Sequence, residues 1–148
     1  MNIANILCPI DFSEPSDAAI VHASALARRH GATLHFVYVY EPLFGDGDIT
    51  GMPMQPAPAD IDPLRERLEA TRPKFEGVEY CHKMLFGFPG GSIVGYAEAH
   101  DIDLVVLGTH GRTGASRLLL GSVAEAVVRS SKCPVLTVRD ANSVIMPE

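Results

Sequence analysis

Short apolar runs alternate along this chain with longer stretches in which apolar residues recur at helical spacing. Residues 3–10 (IANILCPI) are isoleucine-rich and end at Pro9 and Asp11, the pattern of a central strand whose proline falls where a ladder N–H is no longer needed. Ser13-Glu14-Pro15 signals a helix start with proline in the first turn. Ala18, Ala19, Val21, His22, Ala25 and Leu26 then follow one helical face up to Arg29, and Gly31 stops it. Residues 33–40 (TLHFVYVY) are β-branched and aromatic, a second strand, so the chain opens with a β-α-β unit of parallel strands.

Residues 41–62 break the pattern and are expected to form an irregular, mobile loop, with Met52 and Met54 near its middle. Asp62-Pro63 reads as an N-cap and first helical residue, predicting a short charged helix over 64–71 closed by Arg72-Pro73. Residues 78–86 alternate imperfectly and carry charge, as an edge strand does. A turn over 87–91 precedes a helix expected to start at Ser92 and end at His100. Residues 104–107 form a buried strand, residues 135–138 the fifth, and residues 141–148 a short tail. Five strands with four intervening helices predict one α/β domain over residues 1–148, a three-layer α/β/α sandwich around a mainly parallel sheet.

The most informative stretch joins the fourth strand to the last helix. Gly108, Gly111 and Gly114 stand three residues apart, and Gly121-Ser122 opens an amphipathic run. Ser122 with Glu125 has capping-box spacing, which places the helix start near Ser122. A strand, a glycine loop and a helix N-terminus can hold phosphate, because glycine lets the backbone come close and the free amides face the anion. The same glycines can also serve only a tight turn. Neither a Gly-Lys-Ser/Thr P-loop nor the dinucleotide G-x-G-x-x-G pattern is present. In parallel sheets ligands bind beyond the carboxyl ends of strands, and the two chemically distinctive ends are Pro9-Ile10-Asp11 and the Gly108 loop.

Composition narrows the partners. A formal net charge of −6 without a compensating Lys/Arg cluster argues against nucleic acid. No apolar run approaches a membrane span, and the N-terminus lacks a basic targeting region. Cys8, Cys81 and Cys133 have no C-x-x-C spacing and are read as small core residues in a reduced, cytoplasmic setting.

The spacing Gly108-x2-Gly111-x9-Gly121-Ser122, directly after DLVVLG, resembles the ATP-binding signature of the universal stress protein family. The resemblance extends over ILCPIDFSEPSDAAIVHASALARRHGATLHFVYVYEP and over the C-terminal half from GFPGGSIVGYAEAHDIDLVVLG onward, and is weakest over residues 45–74. It implies a Rossmann-like sheet of the adenine nucleotide alpha hydrolase type, ordered 3-2-1-4-5, with strands one and four adjacent. It also implies a homodimer built through Val135–Val138. The family contains ATP binders and members without the glycine signature, and this chain carries the binders' glycines. For a binder the resemblance implies that Asp11 accepts hydrogen bonds from ribose hydroxyls, that Pro9 and Ile10 wall the adenosine, and that Val39 offers backbone groups to adenine. Gly108 would lie under the ribose. Thr109, His110, Gly111, Arg112, Thr113 and Gly114 would wrap the triphosphate, with Gly121, Ser122 and Val123 at the helix start. The implied ligand is ATP, with AMP or ADP as alternatives, and Mg2+ arrives with the nucleotide.

Each assignment has a plainer alternative. Asp11 can simply begin the first helix, and Arg112 and Arg117 can neutralise phosphate or be solvated surface charges. His110 has neither a partner fixed by sequence nor metal-ligand spacing to His100, and reads as a loop residue near phosphate. Without a P-loop lysine, an evident metal-binding carboxylate or a base, binding is better supported than turnover. The expected function is a dimeric nucleotide-dependent switch in a stress response, acting on an unidentified protein partner. The alternatives are a slow ATPase or autophosphorylating enzyme, and a nucleotide-free dimeric interaction protein.

Overall fold

The computed structural model describes residues 1–42, 57–109 and 120–139. Within them the elements run β1 (Asn5–Pro9), α1 (Glu14–His30), β2 (Thr33–Tyr40), α2 (Pro58–Glu69), β3 (Tyr80–Phe86), α3 (Pro89–Ala99), β4 (Leu104–Gly108), α4 (Ser122–Ser130) and β5 (Val135–Val138). The strands form one sheet in the order β3-β2-β1-β4-β5, with every pairing parallel. That is the order implied by the family resemblance, and it makes β1 and β4 neighbours.

Alternation along the central strands divides the core in two. Ile6 and Cys8 of β1, Leu34 and Phe36 of β2 and Val106 of β4 face one side, where Ala18, Ala19 and Ala23 of α1 and Leu68 of α2 cover them. Leu7, Val37, Val105 and Leu107 face the other, against Ile93, Tyr96 and Ala97 of α3 and Ala124 and Val127 of α4. Alanines on the inner face of α1 let that helix lie close to the sheet. The result is the expected three layers. Among the described residues no helix is long and apolar enough to cross a membrane.

The first helix is built as its sequence predicts. Ser13 is the N-cap and accepts from the Ser16 amide, Pro15 lies in the first turn, and Gly31 closes the helix in the left-handed region at φ 66°. Ala32 N–H returns to Ala27 O at 2.9 Å, completing the C-terminal bonding that a side chain with a Cβ would strain.

The other three helices depart from expectation at their N-termini: α2 and α3 start earlier, while α4 starts at Ser122 as expected but without its capping box. Helix α2 begins at Pro58 with Ala57 as N-cap, so Asp62-Pro63 is not its start and Pro63 lies inside it. Pro58 fills the first-turn role, and the turn ahead of Pro63 closes through Asp60 N–H to Ala57 O at 2.9 Å. The helix ends at Glu69, short of Arg72-Pro73. Helix α3 starts at Pro89 rather than Ser92, and Ser92 N–H already makes a helical bond to Phe88 O. Two consecutive glycines read as a turn because each costs about 1 kcal/mol in a helix. Here Gly90 is needed for packing, since a Cβ on it would stand 2.7 Å from the Ala126 Cβ of α4. Helix α4 has Gly121, not Ser122, as its N-cap, so the predicted capping box is not formed. Glu125 instead pairs with Arg129 at 2.6 Å on the exposed face.

The cysteines also divide. Cys8 is buried in the core and half-buried Cys133 packs against the α3–α4 side of it, whereas Cys81 is exposed on edge strand β3, so the core assignment fails for Cys81.

Candidate functional site

The site begins where the sheet parts. Pro9 is the last residue of β1 and has no N–H to give. Pairing of β1 with β2 runs to Pro9–Val37, but pairing with β4 is registered only at Ile6–Leu104 and Leu7–Val105. Beyond that point β1 and β4 diverge. Ile10 makes one more bond, its N–H donating to Val37 O at 2.8 Å, and the chain then turns into α1.

Between the parted strands lies a cleft of about 530 Å³. Its walls are Pro9, Ile10, Asp11 and Ser16 from the β1–α1 turn, Val37 to Glu41 from the end of β2, and Leu64 from α2. Pro89 and Ile93 of α3, Leu107, Gly108 and Thr109 of β4, and Gly121 to Ala124 of α4 complete it. A cleft of this volume with mostly apolar walls and a few polar groups is of the size that holds a small ligand.

Asp11, half-buried, has two positions in this picture. Its Oδ1 accepts from Ser13 N–H at 3.0 Å and from the Ser13 hydroxyl, which forms an Asx turn into α1. Its own N–H donates to Ser16 Oγ at 3.1 Å, and Ser13 Oγ accepts from Ser16 N–H at 3.3 Å. So Asp11 starts the helix and lines the cleft at once. The two sequence readings of it are compatible.

Val39 presents backbone rather than side-chain chemistry. Thr33 donates to Ala4 O and Val37 accepts from Ile10, so odd-numbered residues of β2 turn their peptide groups toward β1. Leu34 donates to Glu79 O and Tyr40 accepts from Gly87, so the even-numbered ones turn toward β3. Val39 therefore directs its N–H and C=O past the end of β1, toward the cleft it lines.

The opposite rim is tied at its base. Thr109 N–H donates to Val138 O at 2.8 Å, and Gly121 N–H donates to Thr109 O at 2.6 Å. This last bond holds Gly121 in place as N-cap, so the unbonded first-turn amides of α4, beginning at Ser122 and Val123, stand at the cleft. Gly108 lines the cleft too, but its missing side chain serves packing. A Cβ there would lie 2.7 Å from Pro15 Cβ and 2.8 Å from the Pro15 carbonyl carbon. His110, Gly111, Arg112, Thr113 and Gly114 lie outside the described residues, as do Arg117, residues 43–56 and the tail, while residues 58–62, expected within the loop, belong to α2.

Of the residues expected at the site, Pro9, Ile10, Asp11, Val39, Gly108, Thr109, Gly121, Ser122 and Val123 line one cleft. Among the cleft residues that sequence reasoning missed are Ser16, Tyr38, Leu64, Pro89 and Ile93. Ser16 carried a usable signal, three residues after the N-cap Ser13. Pro89 followed a strand's carboxyl end, the rim where ligands bind. Leu64 and Ile93 gave none, because their place at the cleft depends on how α2 and α3 cross the sheet.

Displaced ionisation on the far side of the cleft's rim marks a second polar cluster, near the amino ends of the strands. His35 Nδ1 lies 2.8 Å from the Tyr96 hydroxyl, and Nε2 lies 3.1 Å from Asn5 Oδ1. Because Asn5 Oδ1 can only accept, Nε2 carries the proton and the Tyr96 hydroxyl donates to Nδ1. Burial, then the neighbouring His100, lowers the His35 pKa. Burial, then Cys81, pushes Tyr96 up to about 12, and burial raises Cys81.

The Universal stress protein family profile matches residues 2–139. A universal stress protein of Methanocaldococcus jannaschii is 36% identical over 141 residues, covering 90% of this chain and 81% of that one. The structure of universal stress protein UspA from Lactobacillus plantarum superposes with TM-score 0.68 at 28% identity, covering 94% of this chain and 99% of that one. A universal stress protein crystallised in complex with cAMP gives TM-score 0.67 at 28% identity, covering 93% and 98%. With the family profile matched over residues 2–139 and relatives and solved structures aligned over nearly the full length, the chain belongs to the universal stress protein family.

Proposed function

We propose that this protein binds ATP in the cleft between β1 and β4 and acts as a dimeric, nucleotide-dependent switch in a stress response. One observation carries the reading. A backbone donor–acceptor pair at Val39, a carboxylate at Asp11 and the amide end of α4 converge on one cleft of about 530 Å³. The cAMP complex of a related protein supports an adenine nucleotide as the ligand class.

The groups suit adenosine in particular. An N–H beside a C=O on Val39 matches N1 and the 6-amino group of adenine, whereas guanine offers a donor and an acceptor in the reverse places. Pro9, Ile10 and Tyr38 flank the base. Asp11 accepts from ribose hydroxyls, Gly108 and Thr109 form the floor, and the α4 amides at Ser122 and Val123 receive phosphate oxygens. His110, Gly111, Arg112, Thr113 and Gly114 belong to this reading as the remainder of the phosphate loop, and Mg2+ is carried by the phosphates. ATP supplies charge and bulk at the loop that leaves Thr109 and returns at Gly121, which is how occupancy would alter a partner surface. The dimer forms through edge strand β5, where Leu136 and, on α4, Val128 are exposed apolar side chains.

Calorimetric titration tests the binding. Wild type should take up ATP with Mg2+, GTP should bind at least about tenfold more weakly, and Asp11→Ala should lose affinity for ATP. Absence of heat and of any thermal shift at millimolar ATP would defeat the reading, because a ligand at 100 times its Kd stabilises by about 2.7 kcal/mol. Light scattering on Leu136→Asp, expected to be monomeric, tests the β5 interface.

A further inference from the structure

Phe12 follows Asp11 and holds a left-handed backbone conformation, φ 65°, that side chains with a Cβ seldom adopt. Such a residue persists where its surroundings fix it, and strained residues of this kind gather at ligand sites. Besides packing against the core, the Phe12 ring meets two polar-tipped side chains, Tyr38 and Arg67. Its ring stacks on Tyr38, with centroids 5.2 Å apart and planes 22° from parallel. The Arg67 guanidinium of α2 sits over the ring, 4.0 Å from its centroid. Tyr38 is a cleft residue and Arg67 is not among the residues lining the cleft.

From this stack we infer that Arg67 is a positioning residue for ribose recognition. It clamps Phe12 against Tyr38, and the left-handed turn at Phe12 orients the Asp11 carboxylate. Resting on the nucleotide-binding reading above, the inference adds a part for α2 that the glycine loop does not supply. The geometry gives the mechanism. Asp11 Oδ1 accepts from the Ser13 amide across Phe12, so the conformation of Phe12 sets the geometry of that turn. With the guanidinium removed, the ring loses that contact, and the backbone at Phe12 can relax toward negative φ. The carboxylate then swings from its place at the cleft.

The test is Arg67→Ala, titrated with ATP and with 2′,3′-dideoxy-ATP. A cation–π contact at an exposed site translates into a loss of about two- to fivefold in ATP affinity. Dideoxy-ATP, which offers Asp11 no hydroxyl, should bind as tightly as to wild type. Arg67→Lys should recover part of the loss, Arg65→Ala on the same helix should lose nothing, and Arg67→Ala should add nothing on a Phe12→Gly background. Equal weakening of both nucleotides would show a direct charge effect and overturn the inference. Unchanged affinity for both would overturn it as well. In the nucleotide-free protein the Ser13 amide resonance of Arg67→Ala should shift. If wild type binds no ATP, the binding proposal fails on its own, and an unmoved Ser13 amide then defeats the positioning claim separately.

Discussion

Gly108 allows packing and ligand contact to be told apart by one substitution, Gly108→Ala. The added methyl would lie 2.7 Å from Pro15 Cβ, 2.8 Å from the Pro15 carbonyl carbon and 3.0 Å from its oxygen. Carbon atoms at rest stand roughly 3.5–4.0 Å apart, so each contact overlaps by several tenths of an ångström or more. Two of the three atoms are backbone, in the first turn of a helix capped by Ser13 and packed through Ala18, Ala19 and Ala23. The strain cannot be relieved by turning a side chain. Overpacking of this kind costs about 1–3 kcal/mol, which for a protein of this size lowers Tm by about 2–12 °C. Gly91→Ala, where nothing lies within 4 Å inside α3, is the control, and should gain up to about 1 kcal/mol. Urea unfolding of the nucleotide-free proteins measures both. Gly108→Ala unfolding at the wild-type midpoint would refute the packing argument and return Gly108 to a purely ligand-facing role.

Two more outcomes follow from the far cluster and the β1 entry. Because the folded-state pKa of His35 lies below 6.5, the unfolded chain binds the proton first. Stability should be complete above pH 6.5 and decline as the pH falls below it, and His35→Asn should flatten that decline in denaturation series from pH 7.5 to 5.5; an equally steep slope in the variant would exclude His35 as the cause. Asp103 Oδ2 accepts from the amides of Ala4 at 2.8 Å and Asn5 at 2.9 Å. Asp103→Ala should therefore cost about 1–2 kcal/mol by urea unfolding while Asp103→Asn, which keeps an acceptor, costs less.

What the sequence revealed depended on whether the cause was local. Residues 33–40 and 135–138 are the observed strands β2 and β5, because β-branched and aromatic composition is a property of the segment itself. The α1 caps were legible for the same reason. The misplaced start of α3 and the capping box missing from α4 have a different origin. Gly90 looks like a turn residue until Ala126 is placed against it, and Ser122 looks like a cap until Gly121 is tied to Thr109 O. The Asp11-to-Gly108 juxtaposition likewise rests on β1 lying beside β4, which periodicity does not encode and the family resemblance supplied. Phe12, Tyr38 and Arg67 were invisible as a unit, since they come from three separate elements.

The cleft can be traced to the end of one strand. A residue with an N–H at position 9 could extend the β1–β4 ladder upward, whereas proline offers no donor to it. From there each strand must satisfy its peptide groups elsewhere. Ile10 turns to Val37, and Thr109 turns to Val138 and Gly121, so both flanks bond outward, away from the parting. Val39, one step beyond the Ile10 bond, is left directing donor and acceptor into the gap. The same outward bonding fixes Asp11 at the α1 entry and Gly121 at the α4 cap, on opposite sides of the opening. On the proposed reading, a ligand that bridges these sides offers a hydrogen-bonding heteroaromatic edge at one end and an anion at the other, with hydroxyls between. Backbone groups thus set most of the cleft's chemistry, and the side chains with most leverage over it are those, like Phe12, that hold the backbone in place.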